Sequence, residues 1–154
     1  MAVVLPALPR SVAAARHAVG HLLEESEAVP GVVVEDILLL VSELVTNAVL
    51  HARTDTRVSA SVEAGRVEVA VGDGDPRHAP FLAERGAMAT NGRGVMLVDA
   101  LASDWGIELH ESSKVVWFVA AYDPGQGTEA TAGPGDLGQQ AAGRPRVRRS
   151  AQSA

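Results

Sequence analysis

The stretch Val58-Ser-Ala60-Ser-Val62, followed closely by Val67-Glu-Val69-Ala-Val71, consists of two runs in which apolar residues alternate with polar or small ones. Successive side chains of a β-strand point to opposite faces, so each run predicts a strand with one buried face and one face in water. Ala64 and Gly65 join the runs and suit a tight turn. The stretch therefore predicts an antiparallel hairpin with one face in water.

Helical and extended patterns flank this hairpin in a definite order. A strand at 3–5, a helix capped by Ser11 and a second helix over about 34–52 come before it. A loop rich in glycine and proline, a short helix over about 93–102 and strands near 105–110 and 114–121 come after it. The last strand lacks alternation, as a central strand does. The order predicts an α+β fold, a two-layer α/β sandwich with helices on one face of a mostly antiparallel mixed sheet.

The composition of the chain changes sharply near Tyr122. All five aromatic residues lie between 81 and 122, whereas the segment 123–154 is rich in glycine, alanine and glutamine and ends in several arginines. Such a segment buries too little apolar area to offset its conformational entropy. We therefore expect one folded domain over 1–122, with a net charge of −7, and a disordered tail over 123–154, with a net charge of +1.

Several classes of function are disfavoured by composition alone. The chain has no cysteine, which excludes disulfides, thiolate metal sites and a cysteine nucleophile. Its net charge of −6 disfavours direct binding of nucleic acid. Lys114 is the only lysine, so the chain has no lysine-dependent phosphate loop. No apolar run reaches the roughly 18 residues of a membrane span, and the N-terminus does not resemble a signal peptide. We expect a cytoplasmic protein without membrane contact.

A polar stripe runs along the second predicted helix. At about 100° per residue, Asn47 lies about 40° from Glu43, and Asp36 and His51 fall in the same sector. The rest of the helix is so apolar that we expect Glu43 and Asn47 to lie where water is scarce. A buried carboxylate beside a carboxamide needs a partner, and Mg²⁺ bound to phosphates supplies one. The alternative is that both are ordinary, partly exposed boundary residues.

Two glycine motifs follow the hairpin. In Val71-Gly-Asp73-Gly74-Asp75-Pro76 a carboxylate at a strand end is placed to accept from an exocyclic amine, although the same residues also suit a plain turn. In Asn91-Gly92-Arg93-Gly94-Val95 the glycines leave amides free at the start of a helix, next to a positive charge. Such a helix start suits phosphate oxygens, and the alternative is a simple transition from loop to helix.

Three motifs in this order resemble those of the GHKL superfamily of ATPases, which includes gyrase, histidine kinases and MutL. The segment Ser42-Glu-Leu-Val-Thr-Asn47-Ala-Val-Leu-His-Ala52 resembles the N box, Asp73-Gly74-Asp75 stands at the G1 box, and Gly92-Arg-Gly-Val-Met-Leu-Val-Asp99 resembles the G2 box. Together with the strand Lys114-Val-Val-Trp-Phe118, they are similar to anti-sigma-factor serine kinases of the RsbW/SpoIIAB type. The resemblance covers about 5–121 and implies a Bergerat ATP-binding fold.

The resemblance also implies a role for each matching residue. Asn47 would coordinate the Mg²⁺ that bridges the ATP phosphates, and Glu43 would be the general base that takes the proton of the attacking hydroxyl. Asp73 would accept a hydrogen bond from the adenine amino group, and the G2 box would lie along the phosphates. The residues assigned to ATP in this way are Asn47, Asp73, Gly74, Gly92, Arg93 and Gly94.

The function implied is that of an ATP-binding serine/threonine kinase that sequesters a sigma factor and phosphorylates an anti-anti-sigma protein of the STAS type. Relatives also suggest a homodimer. Two features depart from the family pattern: the G1 box lacks the glycines expected at Asp75 and Arg77, and Val115 stands where many relatives carry a threonine that supports a water near adenine. These departures favour the alternative, a non-catalytic module that binds a regulatory partner with weak or no ATP binding. A third possibility, half of a split sensor kinase, lacks a suitable phosphoacceptor histidine.

Overall fold

The computed structural model describes residues 1–26, 29–77, 93–126 and 146–149, and their side chains except those of 93–96, 126 and 146–149. The helices of this part are α1 (Arg10–Glu24), α2 (Gly31–Asn47) and α3 (Arg93–Leu101), with a π-helical turn at Ala48–Ala52 and a 3₁₀ turn at Pro124–Gln126. The strands are β1 (Ala2–Leu5), β2 (Thr56–Glu63), β3 (Arg66–Asp73), β4 (Asp104–Leu109), β5 (Lys114–Ala121) and β6 (Arg146–Arg149).

The strands form one sheet in the order β1-β2-β3-β5-β4-β6. β1 with β2, β2 with β3, β3 with β5 and β5 with β4 form antiparallel pairs, whereas β4 and β6 are parallel. The predicted hairpin is confirmed as β2 and β3, and Gly65 at its turn has φ +74, a left-handed conformation in which glycine avoids the Cβ clash. β5 is central, as its lack of alternation predicts. The α+β sandwich on a mostly antiparallel sheet is therefore confirmed.

The helices pack on one face of the sheet and enclose the hydrophobic core. Every second residue of β3 and β5, such as Val69 and Phe118, is buried against this layer, as are Val19 of α1 and Ile37 of α2. The apolar side of α2 is thus used in the core. Within the parts of the chain that the structure describes, no helix has both the length and the apolar composition needed to cross a bilayer.

Two predicted helix starts differ from the structure. Ser11 is not the N-cap of α1 but lies inside the helix, where its hydroxyl donates to the carbonyl of Pro6 at 2.6 Å. The helix begins at Arg10 because Pro9 already has helical dihedrals. α2 begins at Gly31, three residues before the predicted start, directly after Pro30. Proline ends the preceding extended segment and leaves the first helical turn free to form.

Part of the segment 123–154 is ordered as strand β6. Arg146–Arg149 pairs with β4, with Val147 in register with Ile107 and Arg148 with Glu108. At these four residues the structure differs from the disorder we expected. Without β6 the backbone of β4 would be an open edge, and an open edge accepts an extended segment as a further strand. Most of the segment lies outside the described residues, so the disorder of the remainder and the boundary at 122 stay predictions.

Candidate functional site

The carboxyl ends of α2 and β3 lie at the same end of the sheet. α2 continues through the π-helical turn into the segment that starts β2, and this turn contacts β3. The backbone N–H of Gly74, just after β3, donates to Oγ1 of Thr54 at 2.8 Å. The tertiary structure thus brings the end of the helix that carries Asn47 to the end of the strand that carries Asp73.

Glu43 and Asn47 are half-buried on the last turns of α2. The prediction that they lie where water is scarce is therefore wrong. The core takes only the opposite side of the helix, whereas Val32 and Leu39, on the same side as Glu43, are exposed. Neither Glu43 nor Asn47 makes a side-chain hydrogen bond to another residue of the described part of the chain. Their oxygens are thus available to a ligand.

The π-helical turn Ala48–Ala52 follows Asn47 directly. The N–H of Arg53 donates to the carbonyl of Ala48, five residues back, at 3.3 Å, and Arg53 has φ +53. A left-handed residue other than glycine is uncommon and costs conformational energy. π-Helical turns occur frequently at functional sites, because the extra residue redirects the chain. Here the turn redirects the chain from α2 to Thr54, which holds the loop after Asp73.

Asp73 is buried at the end of β3 and is paired with Lys114, the first residue of β5 and its cross-strand neighbour. The Lys114 Nζ lies 2.7 Å from Oδ1 of Asp73 and also donates to the carbonyl of Asp75 at 2.9 Å. The side chains of Lys114 and Asp73 are 5% and 4% exposed. The carboxylate predicted to recognise a base is thus held by an ammonium group that the sequence motifs did not assign to the site.

The loop after Asp73 is held by short polar contacts. The N–H of Asp75 donates to Oδ1 of Asp73 at 2.9 Å, and Oδ1 of Asp75 accepts from the N–H of Arg77 at 2.9 Å. A Cβ on Gly74 would lie 3.0 Å from Cγ2 of Thr54, so only glycine fits there without a shift. Asp75, a departure from the family pattern, therefore stabilises the turn, which agrees with the turn chemistry of this motif.

Val115 faces away from this site. It pairs with Gly72, and its side chain lines a groove on the face of the sheet opposite the helices, together with Trp117 and Glu68. Side chains alternate along β5, so the residue that meets Asp73 is Lys114 and not Val115. The structure therefore places Lys114 and not Val115 beside Asp73, and the effect of valine at 115 on adenine binding stays a prediction.

The second glycine motif is described only in part. Gly92 lies outside the described residues, and Arg93 and Gly94 form the first turn of α3, with no description of their side chains. α3 ends at Leu101, and β4 begins soon after at the end of the sheet opposite Asp73. Since α3 packs against α2 and β4, the helix runs toward that far end, and its amino end points away from it. Free amides at a helix start favour phosphate groups.

The donors at this end of the sheet fit a metal that arrives with phosphates. Among the described residues, no group of three or more histidine, aspartate or glutamate side chains could hold a metal ion by itself. Asn47 and Glu43 offer oxygen donors one helical turn apart. Mg²⁺ prefers oxygen and is commonly bound through one or two protein ligands plus phosphates and waters, so the residues present fit it.

Sequence reasoning missed two residues of this site, Lys114 and Thr54. Lys114 carried a signal, because a single lysine at the start of an apolar strand, in a chain with a carboxylate at another strand end, suggests a buried pair. Thr54 carried none, since its role depends on the loop after β3 passing within hydrogen-bond distance.

Comparison with known proteins agrees with this geometry. The model of the histidine kinase-like ATPase domain matches residues 5–120, which extend from before α1 to the next-to-last residue of β5 and end before the glycine-rich segment. No curated protein matches the sequence significantly. The family explains why the polar end of α2 and the buried carboxylate of β3 lie at one end of the sheet: the chain belongs to the histidine kinase-like ATPase domain family and is of the ATP-binding type.

Proposed function

We propose that this protein is an ATP-dependent serine/threonine kinase that regulates a sigma factor by phosphorylating an anti-anti-sigma protein of the STAS type. The observation that carries the proposal is the pair Glu43 and Asn47. Both are half-buried, one turn apart, without side-chain partners among the described residues, and at the sheet end where Asp73 lies. Membership of the ATPase family supports ATP as the nucleotide.

The residues of the chain divide the work in this proposal. Asn47 supplies an oxygen to Mg²⁺, which neutralises phosphate charge when it is bound. Glu43 holds the proton of the attacking hydroxyl group and orients the oxygen, as a general base does. Asp73 orients the adenine base of the nucleotide, and the first turn of α3 faces the phosphates with free amides. Most of the acceleration then comes from positioning and charge neutralisation.

Calorimetric titration with Mg²⁺ and ATP tests the nucleotide site. Wild type binds ATP, whereas Asn47→Ala lowers the affinity at least about tenfold, the cost of about 1.4 kcal/mol for one lost ligand contact. Thr46→Ala is the matched control, because Thr46 is the half-buried neighbour on the same helix. Equal affinities in wild type and Asn47→Ala contradict the role of Asn47, and no binding in either contradicts the nucleotide site.

Phosphotransfer to STAS-type proteins from the same genome tests catalysis. Glu43→Gln keeps ATP binding but lowers the rate of transfer roughly 10²- to 10⁴-fold, the usual contribution of a general base. Glu35→Gln is the control, since Glu35 is an exposed glutamate near the other end of α2. A full rate for Glu43→Gln would rule out Glu43 as the base.

A second candidate function is a non-catalytic module that captures a regulatory partner on the same scaffold. It is favoured by Asp75, whose backbone and side chain are used in the turn, and by the ammonium that already neutralises Asp73. Recovery of the protein with a sigma factor, without bound nucleotide and without phosphotransfer, would select this function. ATP-dependent phosphorylation of a co-purified partner would select the kinase.

A further inference from the structure

The ion pair between Lys114 and Asp73 differs in kind from the surface pairs of this chain. Arg66 and Glu68 are also 2.7 Å apart, but their side chains are 50% and 47% exposed, and water screens such a pair. Lys114 and Asp73 are 5% and 4% exposed. Removal of one partner there leaves an uncompensated charge out of water, which is strongly unfavourable. The pair therefore has to be kept intact or replaced as a whole.

The contacts of Asp73 use only one of its two oxygens. Oδ1 accepts both from Lys114 Nζ and from the N–H of Asp75. Oδ2 accepts no hydrogen bond from the described residues, and it is not among their buried atoms without a partner, so it lies at the surface of the site. Lys114 also donates to the carbonyl of Asp75, which ties the loop to the same ammonium. The carboxylate is thus fixed in orientation, with one acceptor left.

We propose that Lys114 is a positioning residue that sets the base specificity of the nucleotide site, by holding Asp73 as a charged acceptor that presents Oδ2 alone. This inference rests on the proposed nucleotide binding. A charged carboxylate has only acceptor positions, so it pairs with an exocyclic amino group and repels a carbonyl oxygen. Adenine carries an amino group at the position where guanine carries a carbonyl. A site built for one hydrogen-bond pattern rejects the other strongly.

A purely structural role for Lys114 makes a different prediction. If the pair only joined β3 to β5, its loss would weaken the binding of every nucleotide alike through a loosened strand end. If Lys114 positions Asp73, its loss changes the preference between nucleotides, because Asp73 can then rotate and no longer presents a fixed acceptor. The ratio of two dissociation constants separates the two roles.

The test measures dissociation constants for ATP and GTP with Mg²⁺ by calorimetry on the full chain. Wild type prefers ATP by at least about tenfold, and Lys114→Met lowers this preference at least about fivefold. Lys114→Arg, which keeps the cation, restores most of it. Arg66→Met is the matched control, since it removes a cation from an ion pair that is equally short but exposed. It leaves the preference for ATP unchanged.

Each outcome decides something specific. Equal weakening of ATP and GTP in Lys114→Met overturns the specificity role but leaves nucleotide binding intact. Loss of preference in Arg66→Met as well would also overturn it. Absence of binding of either nucleotide to wild type overturns the proposed function, and the inference with it.

The single lysine allows a second measurement that does not need a Lys114 variant to fold. Isotope labelling of lysine gives one side-chain ammonium signal in the NMR spectrum of the full chain. Saturating ATP shifts this signal, Asp73→Asn shifts it without nucleotide, and Arg66→Met leaves it in place. A signal that ATP does not move, in a protein that calorimetry shows to bind ATP, would contradict the inference.

Discussion

At the scale of single residues, hydrogen bonds hold the region around Asp73 in place. Thr54 accepts from the N–H of Gly74, and Lys114 holds both Asp73 and the carbonyl of Asp75. Each contact links a segment from a different part of the chain. The position of the buried carboxylate therefore depends on Thr54 and Lys114, to which the motifs assign no role.

Gly74→Ala is expected to destabilise the fold by about 1–3 kcal/mol, because the added Cβ would lie within 3.0–3.2 Å of three atoms of Thr54. Gly31→Ala is the control, since nothing lies within 4 Å of its Cβ and alanine favours the helix. Urea denaturation followed by circular dichroism measures both. A loss in Gly74→Ala no larger than that in Gly31→Ala would show that the loop can shift away from Thr54 without cost.

At the scale of elements, α2 and β4 each do two things. α2 packs Ile37 and Val41 in the core and presents Glu43 and Asn47 on its other side, and the π-helical turn then directs the chain toward Thr54. β4 pairs with β5 on one side and receives β6 on the other. An open strand edge invites pairing with other chains, so β6 protects the sheet.

Val147→Pro is expected to release β6 from β4, because proline has no N–H to donate and clashes in a strand interior. Hydrogen exchange measured by mass spectrometry should then show faster exchange in β4, by roughly tenfold, with β2 and β3 unchanged. Ala151→Pro, after the strand ends, is the control. Identical exchange of β4 in both variants would show that β6 does not protect this edge.

At the scale of the whole molecule, one sheet end collects the polar residues while the helices and strands supply the rigid frame. The ends of α2 and β3 meet there, whereas α3 ends near the opposite end of the sheet. A ligand that contacts several of these elements links them in the folded state and has no comparable site in the unfolded chain. Binding therefore adds to the stability of the whole domain.

Mg²⁺ and ATP at about 100 times the dissociation constant are expected to raise the free energy of unfolding by about 2.7 kcal/mol. Thermal unfolding with and without nucleotide measures the effect, and EDTA should remove most of it. Asn47→Ala, with an affinity about tenfold lower, should show about half of this gain, about 1.4 kcal/mol, at the same ATP concentration, while Thr46→Ala should behave like wild type. A shift of equal size in Asn47→Ala would place the stabilising ligand elsewhere.

Periodicity and local motifs determined most of the fold and named several residues of the site. Alternation predicted β2 and β3, apolar continuity predicted that β5 is central, and spacing placed Glu43 and Asn47 on one side of α2. These are local properties, which a pattern of side chains along one element expresses directly.

Only the tertiary structure decided which residues meet. It pairs Asp73 with Lys114, turns Val115 to the opposite face, leaves Glu43 half-buried and adds β6 to the edge of the sheet. The register between β3 and β5 decides the first two, because a shift of one residue exchanges the faces of every side chain. That register depends on the packing of the whole sheet under the helices, which no single segment of the sequence contains.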